Sequence, residues 1–133
     1  MTYLLDTNVC IRLLNNSSPK AAQRLASVNP SDVFICSIVK AELFYGAYKS
    51  QKKSSNLTNV NAFCGQFISL PFDDSASEVA GRERARLATL GTPIGLSDLL
   101  IAAIALANQI TLVTHNTREF SRVAGLQIED WEV

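Results

Sequence analysis

Apolar residues recur along the chain in two alternating patterns. Short continuous runs, TYLL ahead of Asp6, VFIC at Val33 to Cys36, FISLPF around Ile68 to Phe72 and TLVT at Thr111 to Thr114, have the length and the β-branched or aromatic bias of strands. Between them the apolar positions fall at helical spacing. Helices are predicted over Val9 to Leu14, Pro19 to Val28, Ile38 to Tyr48 behind a Ser37 cap, and Leu57 to Gln66. Ser75 and Glu78 form a Ser-x-x-Glu capping box opening a longer helix that runs to Leu90 and stops at Gly91, and a last helix begins behind Ser97 and continues to Asn108. The polar stretch KSQKKSSN, Lys49 to Asn56, reads as a surface loop between helices, and no internal repeat is visible.

Strands alternating with helices predict an α/β fold: a central, mostly parallel sheet with helices on both faces and right-handed crossovers. Functional groups in such a fold gather at the carboxyl ends of the strands. Asp6 lies at one such end and Asn116 just beyond another.

Composition narrows this only a little. With 133 residues and 47% hydrophobic positions, the chain reads as one domain, 1–133, with a substantial core. Twelve basic residues balance twelve acidic ones, which excludes a polybasic arm or a disordered acidic tail. The longest apolar stretch, Leu99 to Ala107, is too short to span a bilayer, and no signal-peptide pattern precedes Asp6, so a cytoplasmic protein is expected. Cys10, Cys36 and Cys64 are odd in number and far apart, without a CxxC or a nearby histidine pattern, and read as small buried hydrophobes.

The chemistry is carried by three acids in unusual places. Asp6 ends an apolar strand, Glu42 sits beside the stripe Val39, Leu43, Ala47 of its helix, and Asp98 opens the almost wholly apolar segment SDLLIAAIALAN. Each has a bland explanation alone; Asp98, for instance, complements a helix dipole. Together at one sheet edge they would repel, by about 4 kcal/mol for a pair about 4 Å apart at an effective dielectric near 20, unless a cation joined them. A hard divalent ion, Mg²⁺ with Mn²⁺ as substitute, takes oxygen ligands of this kind, and Asn116 offers a neutral oxygen nearby. Such a centre suits phosphodiester hydrolysis, because a bound divalent ion acidifies water and offsets charge on the leaving oxygen.

At these residues the sequence resembles the PIN-domain ribonucleases, and within them the VapC toxins of bacterial toxin-antitoxin systems. LLDTN at Leu4 to Asn8, KAELFYGA at Lys40 to Ala47, GTPIGLSDLLIAA at Gly91 to Ala103 and VTHNTREFSRVAGLQIEDW at Val113 to Trp131 carry the resemblance over essentially the whole chain. It implies a PIN-like three-layer α/β/α fold and makes Asp6, Glu42 and Asp98 the Mg²⁺- or Mn²⁺-binding acids, Asp6 and Asp98 foremost. The fourth acidic position of the pattern falls at Asn116. Thr7, Asn8 and Thr114 match small polar positions that would hydrogen-bond the ligands. The resemblance further implies RNA cleavage, with transfer RNA in the anticodon region as the suggested substrate, a homodimer, a cognate VapB-like antitoxin, and contact with DNA only through that antitoxin.

Other features carry less. His115, the only histidine, is read as structural or substrate hydrogen bonding, and Asp73 and Asp74 as helix-start residues. Arg82, Arg86 and Arg118 are candidate phosphate contacts along an RNA groove, with Lys49, Lys52 and Lys53 in support. Phe44, Tyr45 and Tyr48 read as core or dimer packing. A haloacid-dehalogenase phosphotransferase would want an acid where Asn8 stands, and a receiver domain has no use for Asp98 on its apolar helix. The main alternative is a catalytically weak or inactive module of the same fold that binds RNA or a partner, and Asn116 is its one hint.

Overall fold

A computed structural model describes all residues, 1–133. Five strands, β1 (Tyr3–Leu5), β2 (Val33–Cys36), β3 (Ile68–Leu70), β4 (Thr111–Val113) and β5 (Ile128–Glu129), form one sheet in the order β3-β2-β1-β4-β5, and every pairing is parallel. The helices are α1 (Thr7–Leu14), α2 (Pro19–Ser27), α3 (Ser37–Lys49), α4 (Lys53–Cys64), α5 (Asp74–Leu90), α6 (Leu96–Ala107) and the single turn α7 (Thr117–Phe120). The predicted α/β class and parallel sheet are therefore present.

Central strands of a parallel sheet are covered on both faces, which is why β1 and β4 read as unbroken apolar runs. Every residue of both is buried, whereas edge strand β3 leaves Ile68 60% exposed. The stripe Val39, Leu43, Ala47 anchors α3 in the core, and α6 buries Leu99 and Ile101 to Ala105. Cys10, Cys36 and Cys64 are free and buried, as expected of small hydrophobes. No helix is long and apolar enough to cross a membrane.

Several element boundaries differ from the sequence reading, each for a local reason. The start of α5 is capped by Asp73, whose side chain accepts from the Ala76 N–H at 2.9 Å; Ser75 is not a cap, and Glu78 pairs with Arg82 along the helix. Ser37 does not cap α3 either: it is the first helical residue, and its hydroxyl donates to the Leu70 carbonyl of the neighbouring strand segment. Half of the supposed loop Lys49 to Asn56 is the first turn of α4. The end of α5 is as expected, with Gly91 at φ 72° supplying the left-handed residue that closes a helix. The pairs β5 and α7 had no clear periodic signal, being two and four residues long.

The strand order reverses direction between β1 and β4, the place where the chain leaves an open crevice beyond the carboxyl ends. Leu5 is in register with Val113, and the Asp6 N–H donates to the Val113 carbonyl at 3.0 Å. Asp6 and Thr114 thus leave the sheet side by side.

Candidate active site

Asp6 is 3% exposed, and both of its oxygens are held. Oδ1 accepts from the Thr7 N–H at 2.7 Å while Asp6 caps α1; Oδ2 accepts from the Thr114 hydroxyl at 2.8 Å. Burial nevertheless raises its pKa, against the pull of those two hydrogen bonds, and the Glu42 charge adds to the rise. The buried Thr7 links the two acids directly: its hydroxyl donates to Glu42 Oε1 at 2.6 Å. Asp98, in the first turn of α6, is pushed up to about 6 by partial burial first and then by the charges of Asp6, Glu119 and Glu42. The four carboxylates therefore share one electrostatic neighbourhood.

Glu119 is the residue that sequence reasoning missed. A fourth acid, Glu119 on α7, shares this neighbourhood, and exposed Asn116 donates from Nδ2 to Glu119 Oε2 at 3.0 Å. The other oxygen, Oε1, accepts from the Gly95 N–H at 2.9 Å, and these bonds lower the Glu119 pKa. Gly95 caps α6, and a Cβ built on it would lie 3.8 Å from Asp98 Oδ2 and 3.9 Å from Glu119 Oε1, so the two carboxylates flank one glycine. No periodic pattern in the polar stretch THNTREF marks Glu119 out.

Of the remaining expectations, Thr7 and Thr114 hold the site together, and Thr114 Oγ1 also accepts from the Asn116 N–H at 3.0 Å. Asn8 is exposed and lies outside this network. Arg82 and Arg118 are exposed, whereas the Arg86 guanidinium is engaged by Glu83 and by the Arg122 carbonyl. Phe44 packs against the core, but Tyr45 and Tyr48 are 65% and 59% exposed, with Lys49 over the Tyr45 ring at 5.6 Å. His115 turns away toward Asp130, its Nδ1 2.9 Å from Oδ2.

The donor set fits a hard cation. Asp6, Glu42, Asp98 and Glu119 offer oxygen only, and none of them is in a salt bridge. A second gathering of ligand-type groups, His115, Asp130 and Glu132, brings its ligand atoms within 4.8 Å of one another, yet there both Glu132 oxygens accept from Arg12.

Comparison with known proteins agrees with this geometry. The sequence model of the PIN domain matches residues 3–126. A relative from Shigella flexneri named tRNA(fMet)-specific endonuclease VapC is 39% identical over 98% of both chains. The solved DNA-bound VapBC from Salmonella typhimurium contains a chain that superposes with a TM-score of 0.93 at 40% identity, covering 98% of each. VapBC2 from Rickettsia felis, bound to a DNA fragment from its promoter, gives 0.91 at 35% identity, covering 98% of this chain and 99% of the other. The chain belongs to the PIN domain family and, within it, to the VapC ribonucleases.

Proposed function

We propose that this protein is the endoribonuclease toxin of a VapBC-type toxin-antitoxin pair, hydrolysing RNA phosphodiesters with Mg²⁺, or Mn²⁺ in its place. One observation supports the reading: four carboxylates share the neighbourhood of the sheet switch point with no basic side chain paired to them, and Asp98 is pushed up to about 6, by burial first and then by the charges of Asp6, Glu119 and Glu42. Asp6, Asp98 and Glu42 would hold the metal, with Glu119 taking the fourth acidic place given to Asn116 by sequence. The bound ion supplies an acidified water and charge compensation at the leaving oxygen. The protein supplies the frame: Thr114 and the Thr7 amide fix the Asp6 carboxylate, the Thr7 hydroxyl fixes Glu42, and Gly95 and Asn116 fix Glu119. His115 stays out of the reaction, engaged with Asp130.

Transfer RNA is the substrate we assign, supported by the tRNA(fMet)-specific name of the Shigella relative. A VapB-like antitoxin is the assigned partner, with DNA reached only through it and the toxin acting as a homodimer in the cytoplasm; both solved neighbours are VapBC assemblies on DNA. The inactive-module alternative rests on Asn116 alone, and Glu119, hydrogen-bonded to Asn116 and close enough to raise Asp98, supports the active reading. The deciding experiment incubates purified protein with total cellular RNA in Mg²⁺ and then in EDTA, followed by sequencing of fragment ends. Metal-dependent cuts in transfer RNA are expected. RNA left intact in both tubes would remove the enzymatic reading.

A further inference from the structure

The four-residue helix α7 is too short to hold a carboxylate in place by itself. What holds it lies on α5, remote in sequence from every acid of the site. Glu83 is 4% exposed, and its carboxylate is fully used: Oε2 accepts from Arg86 Nε at 2.8 Å, and Oε1 accepts from Arg86 Nη2 at 3.0 Å and from the Ala124 N–H at 2.8 Å. The same Arg86 Nη2 donates to the Arg122 carbonyl at 2.7 Å. The pair thus grips the chain at two points just beyond α7. From the gripped segment Arg122 reaches back, Nη1 donating to the Pro93 carbonyl at 3.2 Å, in the loop whose Gly95 N–H meets Glu119. Val123, between the grips, and Phe120, just before them, are locked in the core.

We propose that Glu83 and Arg86 are positioning residues, a bracket of a buried acid and a partly exposed arginine that sets Glu119 against the Gly95 amide and so against Asp98. A lone buried acid on α5 would be a liability; with its two-pronged arginine it becomes a rigid peg for a loop with little structure of its own. This gives Arg86 a task other than RNA contact. The inference rests on the ribonuclease reading only where activity is measured, since the bracket itself is a feature of the metal-free chain.

The test uses two variants of the full chain, Glu83→Gln and the milder Arg86→Lys, which keeps the charge and loses the fork. Amide hydrogen exchange is followed without metal at Gly95, Ala124 and the strands β1 and β4. Release of the bracket should speed Gly95 and Ala124 exchange about tenfold or more while leaving the strand amides at their wild-type rates. Unchanged exchange at Gly95, or equal acceleration everywhere, would overturn the proposal, the latter outcome marking the pair as general scaffold. With RNA as substrate and saturating Mg²⁺, kcat should fall about tenfold with KM and salt dependence unmoved, and Arg86→Lys should retain more than Glu83→Gln. A raised KM and a shallower salt slope at constant kcat would make Arg86 a phosphate contact instead. Should wild type leave RNA uncut, the ribonuclease reading fails, and the exchange data still decide whether the bracket exists.

Discussion

Two groups of carboxylates border the same edge of the sheet, and they are treated in opposite ways. Those of the C-terminal segment are each answered: Glu129 by Arg24 at 2.7 Å, Glu132 by both arms of Arg12, and Asp130 by His115. Arg24 also stacks on Trp131, 5.8 Å from the ring centroid, tying the chain end to helices α1 and α2. Asp6, Glu42 and Glu119 receive only hydroxyl, amide and backbone donors, and Asp98 is in no salt bridge. Paired acids are part of how the molecule holds its shape. Unpaired acids taken out of water oppose folding, as the raised pKa values of Asp6 and Asp98 record, and such a cost persists where a function needs it.

The largest effect separating the two groups should be on activity. Asp6→Asn and Asp98→Asn are each expected to lower RNA cleavage by on the order of 10²- to 10³-fold, the scale for losing a preorganised electrostatic group, with a melting temperature equal to or above wild type. A variant that cuts normally would remove its residue from the site. In the paired group the sign is reversed. Arg12→Ala should leave cleavage chemistry intact but destabilise by about 1–2 kcal/mol in urea unfolding, because the Glu132 side chain, 8% exposed, keeps its charge without a partner.

Next in size is the dependence on pH and metal. A carboxyl group whose folded pKa is raised opposes folding fully above that pKa, and the opposition fades as pH falls through it. With Asp98 at about 6 and Asp6 also raised, the metal-free protein should melt higher near pH 5.5 than at pH 7.5. Below the ordinary carboxylate range the trend should reverse, as Glu83 and Glu119, both lowered, become protonated and lose the charge that their hydrogen-bond donors stabilise. Millimolar Mg²⁺ should raise the melting temperature at pH 7.5 more than at pH 5.5, and Asp98→Asn should flatten both effects. A melting temperature blind to metal at either pH would break the contrast between the two groups. The smallest effect is expected at Arg82, whose exposed pair with Glu78 contributes little: Arg82→Ala should change stability by less than about 0.5 kcal/mol, and a shallower salt dependence of RNA binding would mark it as a phosphate contact.

Much of this was legible in one dimension. Unbroken apolar runs at Tyr3–Leu5 and Thr111–Val113 announce strands covered on both faces, and the stripe at Val39, Leu43 and Ala47 announces its helix, because burial repeats with the period of the backbone. Asp6, Glu42 and Asp98 stood out because each breaks such a pattern. Helix caps were less legible: at the start of α5 several polar residues compete, and the geometry favoured Asp73 over Ser75. Glu119 was hidden for a different reason. It breaks no pattern in the polar stretch THNTREF, and only the packing of α7 against the loop at Gly95 makes it a neighbour of Asp98. The sequence by itself therefore determined the class of fold and three of the four acids, since those follow from local periodicity and its violations. Tertiary structure alone decided the fourth acid, the engagement of Arg86 by Glu83, and which carboxylates meet an arginine, because charges act through space, between side chains that the order of residues leaves far apart.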